Sequence, residues 1–293
     1  MDAGDLRFFE AVARTGGMSR AAAELNTVQS NVTARIRALE DELGVTLFRR
    51  HARGVELTPA GRRLLPYAGQ VAHLIADAAK AARDDGEAAG PLTLGSLETT
   101  AALRLSPLLA NFAKAFPAVD LGLETGTTAE LIDRVLAREV EGAFVCGPVD
   151  HPDLVAETVF EERLALFTAP GLDGIDALAR QADARIVVLR AGCSYRQRLE
   201  DVLARRGVVG LRRLEFGTLD AIVGCVAAGL GVTLLPEGIA ETESRDGRVA
   251  VHTLPPAEAV VGTEFVRRRD GYVSSAMTAF LDTVRPTTRA AAE

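Results

Sequence analysis

One segment near the N-terminus carries side chains suited to binding another molecule. At helical spacing, one face and its N-terminal flank collect Gln29, Ser30, Asn31, Thr33, Ala34 and Arg37. Short amide, hydroxyl and guanidinium groups can hydrogen-bond to base edges in the major groove of DNA, and cations can pair with phosphates. A helix that only faces solvent would favour long Glu and Lys side chains. Considered on this helix alone, however, a plain polar surface explains the pattern equally well.

The opposite face of the same segment is apolar. Its stripe, with spacings of 4, 4, 3 and 4, consists of Val28, Val32, Ile36, Leu39 and Leu43. This period predicts one amphipathic helix over residues 28–43, ended by Gly44. The apolar stripe must be buried, so the polar face is predicted to point outward.

Two shorter helices are predicted before this one. Apolar residues recur at helical spacing from Leu6 to Val12, which predicts a helix over residues 5–15. Ser19 is predicted to cap a second helix over residues 20–25. The third helix would therefore pack on two others and be held by them.

A basic ribbon is predicted to follow. The pattern of residues 47–58 predicts a strand, a turn at Gly54 and a second strand, with Arg49, Arg50 and Arg53 on the ribbon. Such a ribbon can contact the DNA backbone or the minor groove. Three helices and a basic ribbon predict a winged helix-turn-helix.

The run AAAELNTVQSNVTARIRALEDELGVTLFRRHARGVELTPAG resembles the DNA-binding signature of LysR-type transcriptional regulators, and the match extends over residues 6–67. The resemblance places Arg35 and Arg37 near phosphates. With the polar face and the ribbon, it gives the expected DNA-binding residues: Gln29, Ser30, Asn31, Thr33, Arg35, Arg37, Arg50 and Arg53. Ser30 replaces a commoner proline and Ala34 an often basic residue, so the family's base preference does not carry over.

Charge divides the chain in the same way. Residues 1–63 carry ten arginines and eight acids, a net charge of +2, whereas the remainder carries −9. The overall charge of −7 excludes a uniformly basic coat, and 48% hydrophobic residues exclude a disordered chain. A basic head on an acidic body indicates that the head meets an anion.

Cysteine usage and hydropathy indicate the compartment. The three cysteines are too few and too scattered for a disulfide framework, which favours a reducing environment. The N-terminus lacks the apolar core of a signal peptide, and the longest apolar stretch is too short to cross a bilayer. We therefore expect a cytoplasmic protein that does not enter a membrane.

A long linker helix is expected over residues 59–90, after an N-cap at Thr58 and a proline at Pro59. Its heptad seam consists of Leu64, Ala68, Val71, Ile75, Ala78 and Ala82. Such a seam favours a two-helix coil and hence a dimer; the alternative is a helix packed on its own domain. The resemblance implies that dimers pair into tetramers.

The remainder alternates short apolar runs with helical patterns, which predicts an α/β body with a doubly wound sheet behind an α-rich head. It resembles the family's effector-binding domain, which is similar to periplasmic binding proteins. The resemblance implies lobe one at residues 91–161 and 267–293 and lobe two at 162–266. Crossing strands are expected near residues 163–165 and 264–266.

Polar residues follow the predicted strands where a ligand would sit, beyond the carboxyl ends of a parallel sheet. These candidate effector residues are Ser96, Glu98, Thr99, Thr100, Thr127, Thr128, Gly147, Cys193, Ser194, Tyr195 and Thr218. For each one alone, helix capping is the simpler explanation; for the whole set, ligand contact is favoured. If its side chain points inward, Glu98 argues against a strongly anionic effector.

Two other functions stay open. Cys193 at a helix N-terminus could serve a thiol-based redox sensor, although no second cysteine stands at the spacing expected of a resolving partner, and a packed thiol is favoured. A ligand-processing enzyme with a DNA-binding head is the other alternative. The scattered histidines and the missing phosphate-binding loop favour no catalytic residues, no metal and no cofactor.

Expected partners are promoter DNA, a small-molecule effector and a second copy of the chain; RNA polymerase stays an open candidate.

Overall fold

The computed structural model describes residues 1–51, 54–172, 174–179, 184–208, 210–239 and 247–290; the side chains of residues 50, 176, 179 and 286–290 are outside the description. The chain forms two compact units, Met1–Asp84 and Asp85–Glu293. The predicted class, a winged helix-turn-helix head with an α/β body, is confirmed. In the first unit the elements are α1 (Ala3–Thr15), α2 (Met18–Glu24), α3 (Gln29–Leu43), β1 (Phe48–His51), β2 (Gly54–Leu57) and α4 (Pro59–Arg83).

The core of the first unit is built on the apolar side of α3. Val32, Ile36 and Leu39 are at most 1% exposed, and they pack in one cluster with Phe9 and Leu47. The antiparallel strands β1 and β2 form the wing beside this core. Gly44 ends α3 in the left-handed conformation, at φ 65°, as its position predicted.

The prediction of a buried stripe is wrong at its two ends. Val28 lies outside α3, as its N-cap, and is 65% exposed, while Leu43 is 37% exposed. The backbone of Val28 is extended rather than helical, so its side chain leaves the buried face. Helical periodicity thus located the buried middle of the helix but not its ends.

The start of α2 also differs from the prediction. The helix begins at Met18, which is buried, and its N-cap is Gly17. Ser19 therefore lies inside the helix and caps nothing; its hydroxyl instead donates to Gln29 Oε1 at 2.9 Å. The contact ties α2 to the first residue of α3.

Helix α4 divides its seam between two environments. Ala68 is 1% exposed, and Leu64 and Val71 pack against the core of the first unit, as the alternative reading anticipated. Ile75 is 52% exposed, and the rest of the seam towards the C-terminus is exposed too. The helix ends at Arg83 rather than at residue 90. The seam is therefore exposed only in the second half of the helix, where another chain could pack against it.

The second unit holds two lobes. Lobe one contains β3 (Gly90–Ser96), α5 (Glu98–Thr100), α6 (Ser106–Ala115), β4 (Val119–Thr125), α7 (Thr128–Leu136) and β5 (Gly142–Cys146). The strand β6 (Leu154–Thr168) leads to lobe two, with α8 (Gly174–Ala179), β7 (Arg185–Leu189), α9 (Ser194–Arg205), β8 (Arg212–Phe216), α10 (Leu219–Ala227), β9 (Thr233–Pro236), β10 (Ala250–Thr253) and α11 (Pro256–Ala259). The chain returns to lobe one through β11 (Val260–Arg268) and α12 (Ser275–Ala290).

The strand β6 joins the two lobes. Up to Arg163 it pairs with β11, and from Leu164 onward with β9. The crossing of β6 thus falls within the predicted residues 163–165. On β11 the prediction of residues 264–266 is wrong, because Glu264, like its neighbours, already pairs with β5 of lobe one. Strand β11 enters the lobe-one sheet earlier, near Val260.

Parallel pairing in both lobes puts strand ends on one edge. Strand β3 pairs in parallel with β4 and with β5 in lobe one, and β7 pairs in parallel with β8 in lobe two. The loops after these strands therefore gather in each lobe at the carboxyl ends of the strands, where ligands bind in such sheets.

The cap of α4 offers a stability test. Thr58 is 6% exposed; its Oγ1 accepts from Gly61 N at 3.1 Å and donates to Thr46 O at 2.7 Å. Replacing Thr58 with alanine should lower the free energy of unfolding by about 2 kcal/mol, since it removes the cap and leaves the Thr46 carbonyl without this donor. Urea unfolding measures the effect.

Serine at position 58 is the matched control, because it keeps the hydroxyl. It should retain most of the stability that alanine loses. Equal stability of the two variants would show that the hydroxyl does not hold the helix end.

Candidate DNA interface and effector cleft

The N-terminal end of α3 presents its polar side chains to solvent. Gln29, Ser30, Asn31 and Arg37 are exposed and Thr33 is half-buried, whereas the opposite face is in the core. Neighbouring hydroxyls orient two of the amides: Ser19 donates to Gln29, and Asn31 Nδ2 donates to Thr27 Oγ1 at 3.0 Å. Each amide keeps one end for a partner outside the chain.

Arg35 differs from the other predicted DNA contacts, because ion pairs within the domain already engage its guanidinium. Its Nη1 lies 2.8 Å from Asp5 Oδ1 and 3.8 Å from Asp2 Oδ1, and its guanidinium stands 5.2 Å from the ring centroid of Phe8. These contacts bind α3 to α1, so Arg35 is engaged inside the domain.

Two further arginines, Arg50 and Arg53, were predicted to lie on the wing. The backbone of Arg50 is in β1, paired with Val55, but its side chain lies outside the described residues. Arg53 lies wholly outside them. Their contacts with DNA stay predictions.

A narrow cleft with a volume of about 10 Å³, roughly the room of one water molecule, separates the lobes of the second unit. Seven of the predicted effector residues line it: Glu98, Thr99, Thr127, Thr128, Cys193, Ser194 and Tyr195. They come from the N-termini of α5 and α7 in lobe one and of α9 in lobe two. The parallel sheets thus bring together residues that lie far apart in the sequence.

The other four predicted effector residues do not line the cleft. Ser96 is buried and donates to Leu97 O at 2.9 Å, and Thr218 caps α10 by accepting from Ala221 N at 3.4 Å. Gly147 donates its N–H to Gly262 O at 2.9 Å, while Thr100 is buried behind the lining. For Ser96, Gly147 and Thr218, these hydrogen bonds to the backbone indicate a structural role.

Sequence reasoning missed several lining residues. These are Leu97, Gly126, Cys146 and Leu189. Cys146 and Leu189 are the last residues of β5 and β7, whereas the candidates considered after these two strands began at Gly147 and at Cys193. Including the final residue of every parallel strand would have found both.

Two hydroxyls in the cleft have no hydrogen-bond partner among the described residues. They are Thr99 Oγ1 and Tyr195 Oη, on residues that are 2% and 5% exposed. Burial raises the pKa of Tyr195; the nearby Thr99 hydroxyl opposes this, yet the two lack hydrogen-bond geometry. A buried polar group without a partner costs free energy, and such groups often mark a site where a ligand supplies the partner.

The charge of the cleft comes from Glu98 alone among the lining residues. Its Oε1 accepts from Leu219 N, the first residue of α10 in lobe two, at 3.1 Å. Likewise, Glu130 accepts from Thr127 N at 2.9 Å at the start of α7. Helix N-termini attract anions, and here two of them already hold the protein's own carboxylates.

The lobes also touch across the cleft. Ala129 N donates to Gly192 O at 3.3 Å, and Arg190 Nε lies 3.7 Å from Glu130 Oε1. Gly192 has φ 92°, and a Cβ at this position would stand 2.8 Å from Thr127 Oγ1. A side chain at residue 192 would therefore hold the lobes apart.

Two thiols share the cleft. Cys193 is the N-cap of α9, and Cys146 lies on the opposite lobe. Burial raises the pKa of Cys193, and it raises the pKa of Cys146 to about 11 even though Arg198 opposes it. Thiols that stay protonated at neutral pH are poor nucleophiles, which argues against the redox alternative and favours packed thiols.

Within the described residues, no group of three or more His, Cys, Asp or Glu side chains could hold a metal ion. A search of the same residues finds no helix both long and apolar enough to span a bilayer. The two searches therefore add neither a metal site nor a membrane span to the features described above.

Comparison with known families identifies both units. Residues 3–62 match the bacterial regulatory helix-turn-helix protein model of the lysR family, and residues 85–289 match the LysR substrate binding domain. The chain belongs to the LysR family. It is a DNA-binding transcriptional regulator with an effector-binding domain of the LysR type.

Related proteins cover the whole length. The HTH-type transcriptional regulator GltR of Bacillus subtilis strain 168 is 42% identical over 280 residues, 96% of this chain and 95% of that protein. The HTH-type transcriptional regulator YusT of the same strain is 43% identical over 286 residues, 98% and 96% of the two chains. Full-length CbnR, solved with its target DNA, has a TM-score of 0.68 at 23% identity, with coverage of 98% and 100%. The relatives are regulators by name, and the solved structure supports the fold.

The state of the thiols can be tested by alkylation. In the native protein near neutral pH, iodoacetamide should modify the partly exposed Cys225 at least about ten-fold faster than Cys146 or Cys193, because burial keeps those two protonated and shielded. The rate at Cys146 should still be rising as the pH approaches 11. Mass spectrometry of peptides follows each site.

Replacing Cys225 with serine should remove the fast reaction, and unfolding in guanidinium should make the remaining thiols react readily. Fast modification of Cys193 in the folded protein would contradict the packed-thiol interpretation and revive the redox sensor.

Proposed function

We propose that the chain reads a promoter site through the exposed end of α3 and the wing. The proposed DNA contacts are Gln29, Ser30, Asn31, Thr33, Arg37, Arg50 and Arg53. The observation that carries this proposal is the division of α3, whose apolar side is in the core while its amide, hydroxyl and guanidinium groups face solvent. Arg35 leaves the set and serves instead to hold α3 on α1.

Self-association supports the same function. The second half of α4 exposes Leu74 and Ile75, 51% and 52%, next to the small side chains of its seam. Two such helices can bury these residues against each other, which would present two copies of α3 to half-sites one helical turn apart. We propose a homodimer, assembled further into a tetramer, that acts in the cytoplasm and without catalytic turnover.

The cleft is proposed to bind a small polar effector that carries no strong negative charge. Thr99 and Tyr195 supply buried hydroxyls that need partners, and Glu98 is the charged group among the lining residues. The carboxylates already at the N-termini of α7 and α10 oppose an anion. A neutral or cationic molecule with hydrogen-bonding groups meets these conditions.

We propose that the crossing of β6 between the lobes serves as a hinge, through which an effector changes the arrangement of the lobes. Arg104, in a π-helical turn over Ala101–Leu105, donates to both carboxylate oxygens of Glu162 at 2.7 and 3.2 Å. Glu162 is 5% exposed and lies one residue before the crossing of β6. A ligand that binds one lobe spacing more tightly will shift the population towards it, and through it the activity at the promoter.

The salt dependence of DNA binding tests the interface. Arg37→Ala should weaken binding to a selected operator and reduce the slope of log affinity against log salt by about 1, because one phosphate contact is lost. Titrations at several salt concentrations with the full-length protein measure the slope.

Arg213→Ala is the matched control. Arg213 is an exposed arginine on β8 of the second unit, paired with Glu200, so its loss should leave the slope unchanged. A wild-type slope for the Arg37 variant would remove that residue from the interface.

The unpaired hydroxyls test the cleft. Thr99→Val should keep the free energy of unfolding or raise it by about 1 kcal/mol, since it removes a buried group without a partner. The same variant should lose the promoter response to the effector in cells while it keeps operator binding.

Thr168→Val is the control at an equally buried threonine. The Thr168 hydroxyl lies 3.0 Å from Ala169 O and 2.9 Å from His252 Nε2, so this variant should lose about 1–3 kcal/mol. If Thr99→Val lost as much stability as Thr168→Val, the Thr99 hydroxyl would have a structural partner and the argument for a ligand there would fail.

A further inference from the structure

Val28 stands out at the tip of α3. It is the N-cap of that helix, and its side chain is 65% exposed, more than any other large hydrophobic residue in the part of the chain that the structure describes. The neighbouring side chains Gln29, Ser30 and Asn31 are all polar and exposed. An apolar side chain therefore sits among hydrogen-bonding groups, at the end of the helix proposed to enter the major groove.

Local stability does not explain a valine at this position. An N-cap is best filled by Ser, Thr, Asp or Asn, whose side chains accept from the free N–H groups of the first turn, and valine ranks among the poorest residues there. No side chain caps α3 in the structure. Packing does not explain it either, because the buried side of the helix begins at Val32.

Val28 is suited to one chemical partner. In the major groove, thymine presents a C5 methyl group that none of the other three unmodified bases has, and apolar side chains read it by contact. The branched valine side chain is stiff about χ1, so little rotational freedom is lost on contact. One apolar side chain surrounded by polar groups complements the major-groove edge of thymine, where a carbonyl oxygen lies beside a methyl group.

We propose that Val28 is a specificity-determining residue that packs on the C5 methyl of a thymine in each half-site. The proposal rests on the proposed DNA interface of α3 and adds a base to it. Burial of a single methyl group corresponds to about a four-fold change in affinity.

The test compares thymine with deoxyuridine, which differs only by that methyl. Operators are first selected from random duplexes with the full-length protein, and each thymine is then replaced singly by deoxyuridine. One position in each half-site should bind the wild-type protein about four-fold more weakly after replacement. In Val28→Ser, thymine and uracil at that position should bind equally.

The comparison is made within each variant, so any general gain or loss of affinity from a serine cap cancels. Val45→Ser is the control, because Val45 is 45% exposed but follows the opposite end of α3; this variant should still discriminate four-fold. Melting temperatures of both variants should match or exceed that of the wild type.

Three outcomes would overturn the proposal: equal binding of thymine and uracil at every position by the wild type, discrimination that survives in Val28→Ser, or loss of discrimination in Val45→Ser as well. If no operator can be selected at all, the proposed DNA interface fails with it, and this result differs from an operator that binds without methyl discrimination.

Discussion

The burial of one side of α3 is the interaction on which the rest of the first unit depends. Val32, Ile36 and Leu39 are removed from water against α1, α2 and the start of the wing. Because a helix turns 100° per residue, this burial forces the intervening polar residues outward. The Arg35–Asp5 ion pair and the Ser19–Gln29 hydrogen bond then restrict the position of the helix and of its first side chain. The exposure of the proposed DNA interface therefore follows from the packing of the core.

The second unit depends on a different constraint, which is the long strand β6. Because this strand pairs first within lobe one and then within lobe two, the lobes share a backbone segment and their strand ends face a common cleft. Buried hydroxyls without hydrogen-bond partners on both sides of the cleft carry a free-energy cost. The proposed effector would recover this free energy by supplying partners, and the proposed coupling of binding to lobe spacing uses the same geometry.

Part of the site could be anticipated from sequence, and the misses have physical causes. The strand-end rule located Thr99, Thr127 and Tyr195, because the position of residues after parallel strands depends on topology alone. It failed for Thr218, which caps α10 but does not line the cleft. Cys146 escaped because the candidates after β5 began one residue later, at Gly147, and the packing of the two lobes then placed the last side chain of that strand at the cleft. The ion pair of Arg35 could not be anticipated either, because its partner is an aspartate thirty residues away.

What the sequence by itself determined is the amphipathic pattern: which helices and strands form, which family they make, and which face of α3 is polar. These properties depend on short-range periodicity and on a long uninterrupted motif. Only the tertiary structure decided which polar groups are free. Val28 left the core because the helix began one residue later than its periodicity indicated, and Arg35 was taken up by α1. The unpaired Thr99 and Tyr195 became visible once two lobes closed around them, since a missing partner is a property of the surroundings in space, not of the residue.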